Sequence, residues 1–264
     1  MLAALLLSAT LVAPPQDYHA DGVALSGPGD PRLTSFDETM KAFLVENRVP
    51  GAALAISREG RLIYARGFGF ANVRRNELVQ PDSVFRIASI SKPVTSATIL
   101  LLVQEGRLGL DDSVLLHLDP SLFAGRVPSD PRWADVTIRH LLHHRGGFDR
   151  ESSGDPMFAG PRIGSDLGPR STGLSAREIV RHMLRSPLDH EPGAVYSYSN
   201  FGYCLLGRVI ERTTGEDYEE AVQRLLLEPL DVRSMRIGAS REASGVTADG
   251  KSRRLSAPHQ RAGW

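Results

Sequence analysis

The sequence predicts an α+β protein in which strands are segregated from helices, and three observations carry that expectation. An amphipathic helical stretch opens the patterned part of the chain. A hairpin pattern follows, Gly51 to Ser57 and then Arg61 to Ala65. From Ser91 onward the apolar residues recur at helical spacing in one segment after another. At 264 residues the chain can bury a substantial core, as one domain or two packed lobes.

Residues 21–34, rich in Pro, Gly and Asp, read as a linker. Ser35, with Glu38 three residues later, makes a capping box that opens the first helix. Phe43 and Leu44 help form its apolar face, and Pro50-Gly51 ends it. The hairpin turns at Glu59-Gly60. Gly67-Phe68-Gly69-Phe70 lacks the third glycine and the strand-to-helix setting of a dinucleotide loop. Ser91 to Glu105 is an apolar helix stopped by Gly106. Thr137 to His144 is a short helix closed by Gly146-Gly147. Residues 149–174 have no period, and a loop of that length is functional or disordered. Ser175 with Glu178 is a second capping box, opening a helix to about Arg185. Asn200 to Thr214 is a helix stopped at Gly215, and Tyr218 to Leu227 is another, stopped by Pro229. Two strands alone make a poor sheet, so the sequence looks as if it expects more strands than it has.

Composition narrows the function classes. Lys plus Arg equals Asp plus Glu at 31 each, which argues against nucleic acid or an anionic membrane as the main partner. Only Lys41, Lys92 and Lys251 are lysines, and an arginine cannot act as a proton acceptor. Cys204 is the one cysteine, which excludes an intrachain disulfide; its neighbours Tyr203, Leu205 and Leu206 mark it as a core residue. Residues 1–20 read as a signal peptide and leader, too short to span a bilayer, and imply a periplasmic or secreted protein.

Ser89-Ile90-Ser91-Lys92 carries the chemistry. Residues three apart at a helix start share a face, so the Ser89 hydroxyl and the Lys92 amine can meet. A serine needs a proton acceptor to become a nucleophile, and burial favours a neutral amine. A helix N-terminus also offers a backbone N–H to a developing oxyanion. A bare S-x-x-K is more often a helix start with a surface lysine, but Pro93 supports the helix-start placement. Tyr198-Ser199-Asn200 is the second element, on a loop entering a helix: a phenol relays protons and an amide bridges lysine and substrate, although taken alone the motif is more often a core aromatic with an asparagine N-cap. Tyr196 is a rival that lacks an asparagine two residues on. His140, His143 and His144 have metal-like spacing, but a glutamate general base and a third ligand are missing, so structural histidines are the better reading than a zinc hydrolase. Asp111-Asp112 reads as a solvated turn with helix-entry acids.

Phe85-Arg86-Ile87-Ala88-Ser89-Ile90-Ser91-Lys92-Pro93 resembles the nucleophile segment of class C β-lactamases and their relatives, the penicillin-binding carboxypeptidases and family esterases. Pro192-Gly193 through Tyr198-Ser199-Asn200-Phe201-Gly202-Tyr203 resembles their second motif, and Leu141 to Gly147 their L-L-x-H-x-x-G segment. The resemblance runs over residues 35–238. It implies a β-lactamase/transpeptidase-like fold, an antiparallel sheet flanked by a mainly helical lobe. It also implies a serine hydrolase that forms an acyl-enzyme on amide, lactam or ester bonds of a small-molecule or peptide substrate, without cofactor or metal. Ser89 would be acylated, Lys92 and Tyr198 would share the proton work as a coupled pair, and Asn200 would orient Lys92 and the substrate. The family's third motif, K-T-G or H-x-G on a C-terminal strand, has no match here. The expectation is therefore an incomplete domain at 35–238 lacking its C-terminal strands, with an irregular tail at 239–264. Losing one oxyanion donor costs roughly 10²–10³ in rate, so the alternative is an impaired paralogue that binds peptidoglycan peptides or a protein partner.

Overall fold

The computed structural model describes residues 22–237 apart from 124, 126 and 159–173. The expected leader at 1–20 and tail at 239–264 lie outside these residues, as does most of the 149–174 loop. The described residues fall into two compact units, one up to Phe85 and one from Arg86.

The first unit is a helix and an antiparallel sheet. Strand β1 is Leu25–Ser26, β2 Gly51–Arg58, β3 Arg61–Asn72 and β4 Glu77–Leu78. The order is β1-β3-β2, with β4 paired to the end of β3. The β2–β3 hairpin turns at Glu59-Gly60, both left-handed, as a two-residue turn requires. The register runs from Gly51 opposite Gly69 to Arg58 opposite Arg61. The two additional strands are only two residues each, too short to show a period. One lies within the expected linker: Leu25 and Ser26 pair with Phe68 and Gly67. Gly67 makes this possible, because a Cβ there would collide with the Val79 carbonyl oxygen and with Ser26 Oγ. The Gly-Phe-Gly-Phe run is therefore the closely approached half of β3.

Helix α1 spans Thr34–Glu46. The expected Ser35–Glu38 box does not form. Asp30 instead accepts from the Arg32 N–H and starts a 3₁₀ turn, Pro31–Leu33, that runs straight into the helix. Proline's fixed φ begins the helical path before Ser35 is reached. Leu44 joins Val23, Tyr64 and Phe68 in the small core of this unit. Buried Asp37 accepts from Tyr64 Oη at 2.5 Å and Arg66 Nη1 at 2.6 Å. Burial, then that bond to Asp37, pushes the Tyr64 phenol up to about 12.

The second unit is helical: α2 Ser91–Gln104, α3 Ile138–Leu142, α4 Ala176–Met183, α5 Asn200–Thr214 and α6 Tyr218–Val222, the last continuing as a π-turn over Gln223–Leu227. Helix α5 is buried at every residue from Asn200 to Ile210, so it is the central element, and α2 and α3 both pack against it. Ser199 caps it by accepting from the Gly202 N–H at 3.0 Å, and left-handed Gly215 ends it. Trp133, Phe148 and Phe201 form an aromatic cluster in the same core, with centroids 4.9 to 6.3 Å apart. Cys204 is fully buried there, and burial pushes its thiol up to about 11. The Ser175–Glu178 box forms as expected. Helix α3 is shorter than expected: His144 leaves the helical path at φ +56, and the Arg145 N–H reaches back to the His140 carbonyl at 2.7 Å.

Irregular segments are held by a recurring Asp-Pro device. Asp30, Asp119, Asp130 and Asp155 each precede a proline and accept from the N–H two residues on, at 2.8 to 2.9 Å. At Asp119, Asp130 and Asp155 the remaining carboxylate oxygen takes a partner elsewhere, whereas at Asp30 it turns back to Arg32 of the same turn. Asp130 is the structural case: its Oδ2 takes Arg132 Nη2 at 2.6 Å and the buried Leu188 N–H at 2.9 Å. The Arg132 side chain, against the opposing effect of burial and helped by these N–H groups, holds the Asp130 carboxyl well below the usual carboxylate range. Asp130→Ala strands the Leu188 N–H and is expected to lower unfolding free energy by about 1–3 kcal/mol, read by denaturant melts. A depressed carboxylate stabilises above its unfolded pKa and loses that contribution as pH falls, so the two proteins converge in stability below the carboxylate range. Equal stability at pH 7 would remove the latch.

Candidate functional site

The 3₁₀ turn Ala88–Ile90 leads into α2 and carries Ser89. Ala88 just before it stands at φ +44, an unusual conformation for a residue with a Cβ. Ser89 is exposed, while Lys92, one turn on, is only 4% exposed. Two functional groups from the start of α5 converge on this pair. Tyr198 Oη donates to Ser89 Oγ at 2.7 Å. Lys92 Nζ lies 3.3 Å from Ser89 Oγ and donates to Asn200 Oδ1 at 2.7 Å. All four side chains singled out from sequence thus form one connected group.

The surroundings tune it. Lys92 Nζ sits 4.9 Å from the Tyr198 ring centroid and 5.6 Å from that of Tyr203. Tyr203 Oη is fixed by the Leu142 carbonyl at 3.1 Å and Ser96 Oγ at 3.0 Å. Burial acts to raise the Tyr198 pKa, but hydrogen bonding with Lys92 and Ser89 and the charges of Lys92 and Arg150 outweigh it, so the phenol ionises more readily than an ordinary tyrosine. The arrangement can hold a serine oxygen, take its proton into a phenol–amine pair and return it.

Two further residues join the group: His144, expected only as a structural histidine, and Asp155, which lies in the loop without period. His144 stacks on Tyr198 with centroids 4.5 Å apart, and its Nδ1 accepts from the Ser199 N–H at 3.1 Å. Burial first, then the Lys92 charge, holds its pKa below the ordinary value, and an accepting Nδ1 places the proton of the neutral ring on Nε2. His140 serves elsewhere, completing the capping box with Thr137. The zinc reading accordingly gains no support, since the two histidines serve separate backbone sites, and among the described residues no group of three or more His, Cys, Asp or Glu could hold a metal ion. The other residue, missed from sequence, is Asp155, whose Oδ2 accepts from Asn200 Nδ2 at 2.7 Å. Its signal in the sequence is the Asp-Pro pair inside a loop of no period.

Comparison with known proteins decides the family. The Beta-lactamase family model matches residues 36–264. The chain belongs to the Beta-lactamase family. Among curated members, esterase EstB of Burkholderia gladioli is 31% identical over 226 residues, 83% of this chain and 53% of EstB. Protein flp of Staphylococcus aureus is 28% identical over 74% of this chain and 36% of its own length. The chain therefore spans about half or less of these relatives. Among solved structures, EstCE1, described as a hydrolase with promiscuous acyltransferase activity, superposes with a TM-score of 0.62 at 27% identity, covering 76% of this chain and 52% of EstCE1. The octameric penicillin-binding protein homologue from Pyrococcus abyssi gives 0.58 at 32% identity, with 76% and 42% covered. The fold is thus of the β-lactamase/transpeptidase type, as the family resemblance implied. Among the described residues of this β-lactamase-family chain, no helix is long and apolar enough to cross a membrane.

Proposed function

We propose that this chain carries the nucleophile machinery of a serine hydrolase that works through an acyl-enzyme, on ester bonds first and on amide or lactam bonds by the same chemistry. The observation that carries the reading is the exposed Ser89 Oγ held at 2.7 Å by the Tyr198 phenol, with the buried Lys92 amine at 3.3 Å. Ser89 Oγ attacks the substrate carbonyl carbon and its proton passes to the Tyr198–Lys92 pair. The pair protonates the leaving alcohol or amine as the carbonyl bond to it breaks. Water, deprotonated by the same pair, then releases the acid and restores Ser89. Asn200 holds Lys92 in reach of Ser89 throughout. Exposed Ile90, beside the nucleophile, suits an apolar acyl group. The esterase relative EstB supports the preference for esters.

A fluorophosphonate probe is expected to label the protein covalently, with the adduct mapping by mass spectrometry to the peptide that contains Ser89. A label on another serine, or none at all, overturns the reading. Competition by p-nitrophenyl esters and by a fluorescent penicillin then ranks ester against lactam as the acyl donor.

A further inference from the structure

We propose that Asp155 is a positioning residue for Ser89 chemistry: it fixes which way round the Asn200 amide sits, and thereby gives Lys92 an acceptor. The inference rests on the Ser89–Lys92 reading above.

Donors and acceptors decide the orientation of the amide. Asn200 is 6% exposed and carries one acceptor end and one donor end that are nearly the same shape. The Lys92 amine at one end, 2.7 Å away, needs an acceptor. The Asp155 carboxylate at the other end, also at 2.7 Å, has acceptors only. Both partners therefore demand the same orientation, Oδ1 to Lys92 and Nδ2 to Asp155. The flipped amide sets donor against donor and oxygen against carboxylate in a place with little access to water.

Asp155 is itself held. Its Oδ1 accepts from the N–H of Met157 at 2.9 Å, and the Met157 side chain is 1% exposed in the helical core. The same division of labour is seen at Asp119, where Oδ1 caps its own turn and Oδ2 takes Arg177, and at Asp130, where Oδ2 takes the Leu188 N–H. The Asp-Pro turn at 155 thus presents one oriented oxygen, and here that oxygen meets the amide that holds Lys92.

The test is a charge-swap cycle read by the second-order rate of fluorophosphonate labelling, with melting temperatures recorded alongside. Asp155→Asn leaves a capping oxygen for Met157 but no longer dictates the orientation of Asn200. Asn200→Asp alone sets two carboxylates against each other. Each single change is expected to slow labelling by about 10- to 100-fold. In Asp155→Asn/Asn200→Asp, the amide at position 155 donates to the carboxylate at position 200, which accepts from Lys92. The donor–acceptor chain is rebuilt, and the double variant is expected to recover most of the loss. A residue that merely capped its loop would gain nothing from a change at position 200. Asp155→Asn labelling at the wild-type rate, or a double variant as slow as the product of the singles, overturns the inference. Failure of the underlying reading looks different: Ser89→Ala still labels, or the wild type does not. In that case the side-chain ¹H–¹⁵N signals of Asn200 remain a readout, since they are expected to move in Asp155→Asn; unmoved signals also overturn the inference.

Discussion

Lys92→Arg is expected to slow Ser89 labelling by about 10³-fold while keeping the positive charge. The reason is proton chemistry joined to shape. An amine can lose a proton to become an acceptor, and a guanidinium cannot at any working pH. The site is also built around a compact head group: Nζ lies 2.7 Å from Asn200 Oδ1 and 4.9 and 5.6 Å from two aromatic centroids, in a residue only 4% exposed. A planar fork does not fit these partners without pushing the rings apart. Since overpacking alone can unfold a core, Lys92→Ala is the companion variant. It removes bulk, leaves the Asn200 acceptor open, and is expected to be equally slow yet to regain rate when methylamine is supplied. Wild-type labelling by either variant, or a Lys92→Ala protein that methylamine leaves unchanged, takes Lys92 out of proton transfer.

How far the sequence led is best seen in particular elements. Helix α5 is found where expected, Asn200–Thr214, because both of its ends are local events: a serine cap and a glycine stop. Helix α2 ends within one residue of the expected point for the same reason. Ser89 and Lys92 were legible as a pair because their meeting needs only one helical turn. Their meeting with Tyr198, 109 positions away, is a tertiary fact that family resemblance implied and periodicity alone did not. Other features left no local trace. A two-residue strand such as Leu25–Ser26 has no period to detect, and it exists because Gly67 admits a close neighbour. The spacing of His144 from His140 is that of a helix, yet the chain breaks off at φ +56 and aims it at Ser199. Asp155 sits in a segment with no pattern beyond its proline, and the significance of that proline emerges only when four Asp-Pro pairs show the same bond.

Tyr198→Phe is expected to cost about 10²-fold in labelling rate and, more tellingly, to erase a limb of the pH profile. The substitution keeps the ring that stacks on His144 at 4.5 Å and removes only the oxygen 2.7 Å from Ser89. In the wild type the phenol donates to Ser89 Oγ at low pH and so withholds that oxygen's lone pair. Once ionised it reverses role and accepts the serine proton. Its pKa is lowered: burial opposes ionisation, but Lys92, Ser89 and the Arg150 charge prevail. The rate should therefore rise with pH through an inflection below the ordinary tyrosine value of about 10, and Tyr198→Phe should lack that inflection. Because the phenol and the amine interact, the inflection belongs to the pair and moves again in Lys92→Ala. Tyr196→Phe is the control: Tyr196 is 60% exposed, meets His144 only edge-on at 5.9 Å, and has no asparagine two residues on, so its profile should match the wild type. If the Tyr198→Phe profile keeps the wild-type inflection, the proton leaves Ser89 by another route, and Lys92 alone must carry it.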